Sequence, residues 1–316
     1  EIYTLSLHDA LPIWSANPHE ISLYIRNCQE MGIQVLPPDV NESGKNFTVV
    51  DRRIRFGLMG VKNVGEGVID AILHARKEHG PAKDLFTFIE HLEIRQINKK
   101  AIESLIQAGA MDSMHGNRAQ QLAVYEGLIE SAQNARKNNV NGQISLFQMN
   151  DDVMQQDRMM HALPDMADFS REKQMQMEKE MLGVYLTGHP LDAYADLIRR
   201  HTTVDSRDLM EEAGPDGIPQ ITDGQHVVMA GMMTGIRTLI TKKNQPMAFL
   251  QLEDFYGTTE VVVFPKMYEK SRHVLQEDAI LSVKGTISCR EDEQPKLIAN
   301  QIHADQIGRA SCRERV

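Results

Sequence analysis

Residues 61–67 read VKNVGEG and lead into 68–78, where the apolar spacing is helical. A tight turn with two glycines at a helix start leaves backbone N–H groups pointing outward. Those donors, with the positive end of the helix dipole, hold a phosphate oxygen whatever base it belongs to. Val64, Gly65 and Gly67 would form the turn of such a helix-hairpin-helix device, and Lys62 would add a charge. The plainer reading is an ordinary helix start, since short glycine motifs are common. A second hairpin is expected at 108–118 (AGAMDSMHGNR), between helices over 98–107 and 117–136. There Gly109 would turn the chain, Asn117 would cap the next helix and Arg118 would face a phosphate from its first turn. Met111 and Met114 read as core residues.

Two further groups of residues suit binding. Residues 143–147 read QISLF and lie between the turn-rich NNVNG of 138–142 and Asp151-Asp152. Leu146 and Phe147 are too apolar for so polar a segment. Docked in a partner's pocket they would contribute about 1.5–3 kcal/mol each, with Gln143 hydrogen-bonding at the rim. Folding back onto the helical part is the equal alternative. Towards the C-terminus, Arg237, Lys242, Lys243, Phe255 and Tyr256 supply the cations and rings of a single-strand platform. Phe249 and Phe264 are expected in the core instead.

Groups for covalent or metal chemistry are missing from the pattern. There is no paired-carboxylate strand, nucleophile elbow, P-loop or histidine cluster, so neither catalytic residues nor a bound metal are expected. Cys28, Cys289 and Cys312 lie far apart, which fits a reducing cytoplasm and argues against structural zinc. No apolar run approaches the roughly 20 residues that span a bilayer. The net charge of −10 repels phosphate overall, so nucleic acid would have to be held by local amides and small basic groups.

The elements that must position these residues follow from periodicity. A helix over 18–31 ends at Gly32, Pro37-Pro38 forbids one, and 46–57 alternates like a short hairpin. Helical faces then recur to about 136, and again over 167–200, with a break at Gly188-His189-Pro190. Five strands are expected at 226–240, 247–253, 258–264, 279–288 and 294–301, with a helix over 265–275. That order is the one expected of an OB-fold barrel. The fold class is therefore α+β and multi-domain: a helical tandem helix-hairpin-helix domain, then a five-stranded barrel. The expected divisions are 14–56, 57–137, a loop at 138–152, a helical connector at 153–221 and the barrel at 222–306.

The two ends look foreign. The DNA string CACTCTTTCCCTACACGACGCTCTTCCGATC, read after its first base, encodes TLSLHDALPI, which is residues 4–13; its complement encodes IGRASCRERV, residues 307–316. Residues 1–13 and 307–316 are thus expected to be translated sequencing adapter, outside the fold.

Six blocks, in order, resemble the C-terminal half of the alpha subunit of bacterial DNA polymerase III. They are 35–43 (VLPPDVNES), 56–66 (FGLMGVKNVGE), 97–112 (INKKAIESLIQAGAMD), 117–119 (NRA), 142–147 (GQISLF) and 178–191 (EKEMLGVYLTGHPL). The resemblance implies the end of the fingers region before Gly57, then helix-hairpin-helix motifs gripping duplex DNA. It also implies an internal peptide for the sliding clamp at Gln143, Ser145, Leu146 and Phe147, and an OB domain associated with single-stranded template. The parent's palm carboxylates, which would hold Mg2+, and its contacts with other replicase subunits lie outside this chain, so the chain should not polymerise alone. A ligase or repair protein with similar modules is the main alternative, and the missing lysine-nucleophile and CxxC motifs count against it. A stand-alone single-strand binding module is the other.

Overall fold

The structure, a computed structural model, describes residues 18–92, 98–140, 163–210, 221–289 and 294–304. The chain forms two compact units, one of residues 28–187 and one of residues 18–27 with Gly188 onward.

The first unit takes in the end of helix α1 (Pro18–Glu30) and a small sheet of β1 (Val35–Leu36), β2 (Thr48–Val50) and β3 (Arg53–Arg55), in the order β1-β3-β2. The helices α2 (Glu66–His79), α3 (Leu85–His91), α4 (Lys99–Gln107), α5 (Arg118–Val140) and α6 (Arg171–Leu182) complete it. The apolar faces expected from the spacing do point inward: Ile69, Ile72, Ile89, Ile102, Leu105 and Ile129 are all fully buried. Met111 and Met114 fill the same core. Side chains that accept from first-turn amides start α3, α4 and α6: Asp84 from Thr87, Asn98 from Lys100 and Ser170 from Lys173.

Residues 32–56 are tied to the helices that follow by hydrogen bonds. The Val40 N–H donates to the Ala110 carbonyl at 2.9 Å, and the Arg76 guanidinium donates to the carbonyls of Val40 and Ser43. Asn41 and the backbone of Ala82 exchange two hydrogen bonds of 2.9 Å. Pro37-Pro38 forbids a helix here, and the turn that follows, closed by the Glu42 and Ser43 amides on the Asp39 carbonyl, leaves other backbone groups to find partners among the helices.

In the second unit, α7 (Ala195–His201) and α8 (Ser206–Met210) precede a closed five-stranded barrel. Its strands are β4 (His226–Ile240), β5 (Pro246–Glu253), β6 (Thr258–Val263), β7 (Ile280–Ser288) and β8 (Lys296–His303), with α9 (Pro265–Ser271) between β6 and β7. The order is β4-β5-β6-β8-β7; β6 and β8 run parallel and the other pairs antiparallel. Alternate residues (Ala248, Leu250, Leu252; Val261, Val263; Leu281, Val283) fill the interior, as a period of two requires. Where Asn300 bulges from β8 opposite Lys284 and Gly285, a Cβ on Gly285 would lie 2.2 Å from the Ile298 carbonyl oxygen, so the strands close there only with glycine. The α+β class and the barrel topology are those expected from the sequence.

Candidate nucleic-acid interface

The first glycine turn is held from below and open above. Val61 and Val64 are buried, while Lys62, Gly65, Glu66 and Gly67 face outward. The Lys62 N–H donates to the Met181 carbonyl at 2.9 Å, and the Asn63 side chain reaches Ser104 Oγ at 3.0 Å from a left-handed backbone (φ 65°). Gly65 is the N-cap of α2 with extended dihedrals (φ −80°, ψ 162°) and has no side chain to cap the helix. The amides of Gly65, Glu66 and Gly67 donate to no acceptor among the described residues.

These two glycines are not required by the protein's own packing. A Cβ on either would meet nothing within 4 Å, and neither backbone lies in the left-handed region. Glu66 suits the helix N-terminus but would oppose a phosphate. Lys45 meets its carboxylate and offsets that charge.

The second hairpin is built differently, and Arg118 corrects the expectation. Only 4% exposed, its guanidinium binds Asp112 (2.6 and 2.9 Å) and Glu178 Oε1 (3.0 Å) inside the unit. Burial alone would pull its pKa down; the two carboxylates outweigh that and hold it above the ordinary arginine value. Gly109, with φ +75°, leaves the room, since a Cβ there would sit 2.3 Å from Arg118 Nη2. Glu178 also accepts from the Thr187 amide and hydroxyl. The Arg118 guanidinium is therefore committed to ion pairs within the fold. Asn117 does begin α5: its side chain accepts from the Gln120 N–H while Gln120 accepts from the Asn117 N–H, a reciprocal cap. Its amide also donates to the Met166 carbonyl.

On the barrel, Arg237, Lys242 and Lys243 are exposed as the pattern suggests, the two lysines in the turn between β4 and β5. Phe249 is not in the core. It lies half-buried on the outer face with the Arg237 guanidinium 5.1 Å from its ring centre, and Phe264 is 47% exposed. The alternation in 247–253 could have placed Phe249, which shares parity with the exposed Gln251, while Ala248, Leu250 and Leu252 point inward. Phe255 and Tyr256 are half-buried beside a cleft of about 240 Å³. Arg26 lies 4.8 Å from the Phe255 ring and Arg207 3.5 Å from the Tyr256 ring, so each already carries a cation on its face. Asp254 locks the adjoining turn by accepting from the Ser206 amide and hydroxyl (both 2.6 Å) and from the amides of Tyr256 and Gly257; burial nevertheless pushes its pKa up.

Gln143, Ser145, Leu146 and Phe147 lie outside the described residues, as do both suspected adapter ends. Beyond them, the chain from Leu163 runs back along the start of α5: the Gln120 amide donates to the Pro164 carbonyl at 2.8 Å, and the Ala119 N–H to Asp168 at 3.3 Å. Among the described residues no three His, Cys, Asp or Glu side chains converge on a metal position, and no helix is long and apolar enough to cross a membrane.

Two family models match. The helix-hairpin-helix motif covers residues 32–121 and the OB-fold nucleic acid binding domain covers 227–305. DNA polymerase III subunit alpha of Saccharopolyspora erythraea is 35% identical over 87% of this chain, 23% of the relative's length. That of Mycobacterium tuberculosis is 34% identical over 92% of this chain and 24% of its own length, and that of Thermus aquaticus 36% over 86% and 21%. The chain thus spans about a quarter of the length of the curated relatives it matches. With its two family domains in the order that the residue blocks suggest, this chain is a relative of the alpha subunits of bacterial DNA polymerase III, matching one segment of them.

Proposed function

We propose that this chain is a DNA-holding segment of a bacterial replicative DNA polymerase, working in the cytoplasm. The observation that carries the reading is the first glycine turn. Three outward amides at the start of a 14-residue helix are left open by glycines that neither packing nor dihedral angle requires. An external group that comes close to the backbone is what such glycines admit, and a duplex phosphate fits the donors and the dipole. Binding of this kind ignores base sequence, as a polymerase moving along its template needs.

The other parts follow the same division of labour. The outer barrel face, with Phe249 under Arg237 and Lys242 and Lys243 at its tip, takes single-stranded template by stacking and charge. Phe255 and Tyr256 contribute less, because guanidinium groups already cover them. Gln143, Ser145, Leu146 and Phe147 hook the sliding clamp, raising processivity through effective concentration. Nucleotidyl transfer, its Mg2+ and contacts with other replicase subunits belong to the rest of the longer protein.

The test is Gly65→Ala combined with Gly67→Ala. The fold should keep its melting temperature, since alanine in place of Gly67 gains about 0.5–1 kcal/mol within the helix and offsets a similar loss at the Gly65 N-cap, where glycine is preferred. Duplex affinity, followed by fluorescence anisotropy, should fall about tenfold or more, because hydrogen bonds to a charged group contribute about 1.5–3 kcal/mol. Full affinity in an intact double variant would refute the proposal.

A further inference from the structure

An acidic chain that binds phosphate must keep some cations out of internal ion pairs. In the first unit Lys45, Arg55, Lys99, Lys100 and Arg118 are each met by a carboxylate. Arg52 forms no ion pair among the described residues. It sits with Arg53 at the tip of the β2–β3 hairpin, and Arg53 is paired only loosely, 3.7 Å from an Asp51 carboxylate that is itself largely exposed.

The tip is unusual in backbone as well as charge. Asp51 and Arg52 both adopt left-handed dihedrals, φ 51° and 61°, in a turn that asparagine and glycine would enter more easily. Local folding preference therefore does not account for an arginine at this position. Val49 and Val50 beside it are exposed too.

The foot of this hairpin abuts the first glycine turn. The Leu58 and Met59 amides donate to the carbonyls of Gly44 and Lys45, and the Lys45 ammonium meets Glu66, the first residue of α2. Three paired residues separate foot from tip, about 10 Å at strand spacing. One turn of duplex is about 34 Å, with a phosphate on each strand every 3.4 Å or so along the axis, so tip and glycine turn lie within one turn's span.

We propose that the β2–β3 hairpin is a second phosphate-contacting element, in which Arg52 and Arg53 engage the duplex backbone beside the phosphates held at Gly65 and Gly67. It rests on the reading of the glycine turn as a phosphate site. The test compares the whole chain with Arg52→Gly/Arg53→Ala and with Gly65→Ala/Gly67→Ala, measuring duplex affinity against salt concentration. Each phosphate that a cation no longer neutralises should make the log–log salt slope shallower by about 0.9, so removing both arginines should lower it by about 1.8. The melting temperature of that variant should hold or rise, since glycine relieves the left-handed backbone at position 52. An unchanged slope in the arginine variant, with salt-dependent binding by the parent chain, overturns the hairpin proposal alone. Duplex binding by the parent chain that is absent, or indifferent to salt, overturns both readings.

Discussion

Glu178→Ala is expected to destabilise the first unit by about 3–5 kcal/mol, the range for removing one partner of a buried ion pair. Glu178 is fully buried and receives Arg118 Nη2 at 3.0 Å and the Thr187 hydroxyl at 2.9 Å. Its removal leaves a buried guanidinium with Asp112 as its one carboxylate, and strands the Thr187 donors. The network joins the second hairpin to α6, so α4, α5 and α6 should loosen together. Hydrogen exchange of α4 and α5 amides measures this without interference from the barrel. Replacing both members, Arg118→Met with Glu178→Leu, should destabilise less than the sum of the singles, because no unpaired charge remains. Protection in Glu178→Ala within about 1 kcal/mol of the parent chain, the level of an exposed pair, would show that the network is not structural.

Leu146→Ala with Phe147→Ala should weaken binding of the chain to a purified bacterial sliding clamp by about 3 kcal/mol or more, roughly 150-fold. Large apolar side chains at the centre of a small interface carry most of its affinity, whereas Gln143 at the rim should matter less. Calorimetric titration reads the difference directly. Duplex binding should stay as it was, since residues 143–147 and the glycine turn are separate stretches of the chain. Equal clamp affinity in parent and double variant would remove the assignment.

Much of the fold is legible in spacing. Ile69, Ile72 and Leu105 fall on buried helix faces, and Leu250, Val261 and Val283 on the inner face of a barrel, because each needs only its own local period. The first glycine turn is legible for a related reason, since a helix start is a local feature. Arg118 is not. Its partners stand six and sixty residues away, and no periodicity reports that a distant Glu178 will be buried against it. Phe249 is expected in the core only where strand parity is left out, since it shares parity with the exposed Gln251. Phe264 begins α9 as its N-cap, where the strand pattern no longer fixes which side a residue faces. The link between residues 32–56 and the helices depends on the Asn41 and Arg76 side chains meeting backbone groups more than thirty residues away, which no local period reports.

The most direct measurement is a duplex titration of the chain labelled with 15N-glycine. The Gly65 and Gly67 amide resonances should shift with any short duplex, whatever its sequence, and return as salt is added. Duplex bound while both resonances stay in place would contradict the account at its centre.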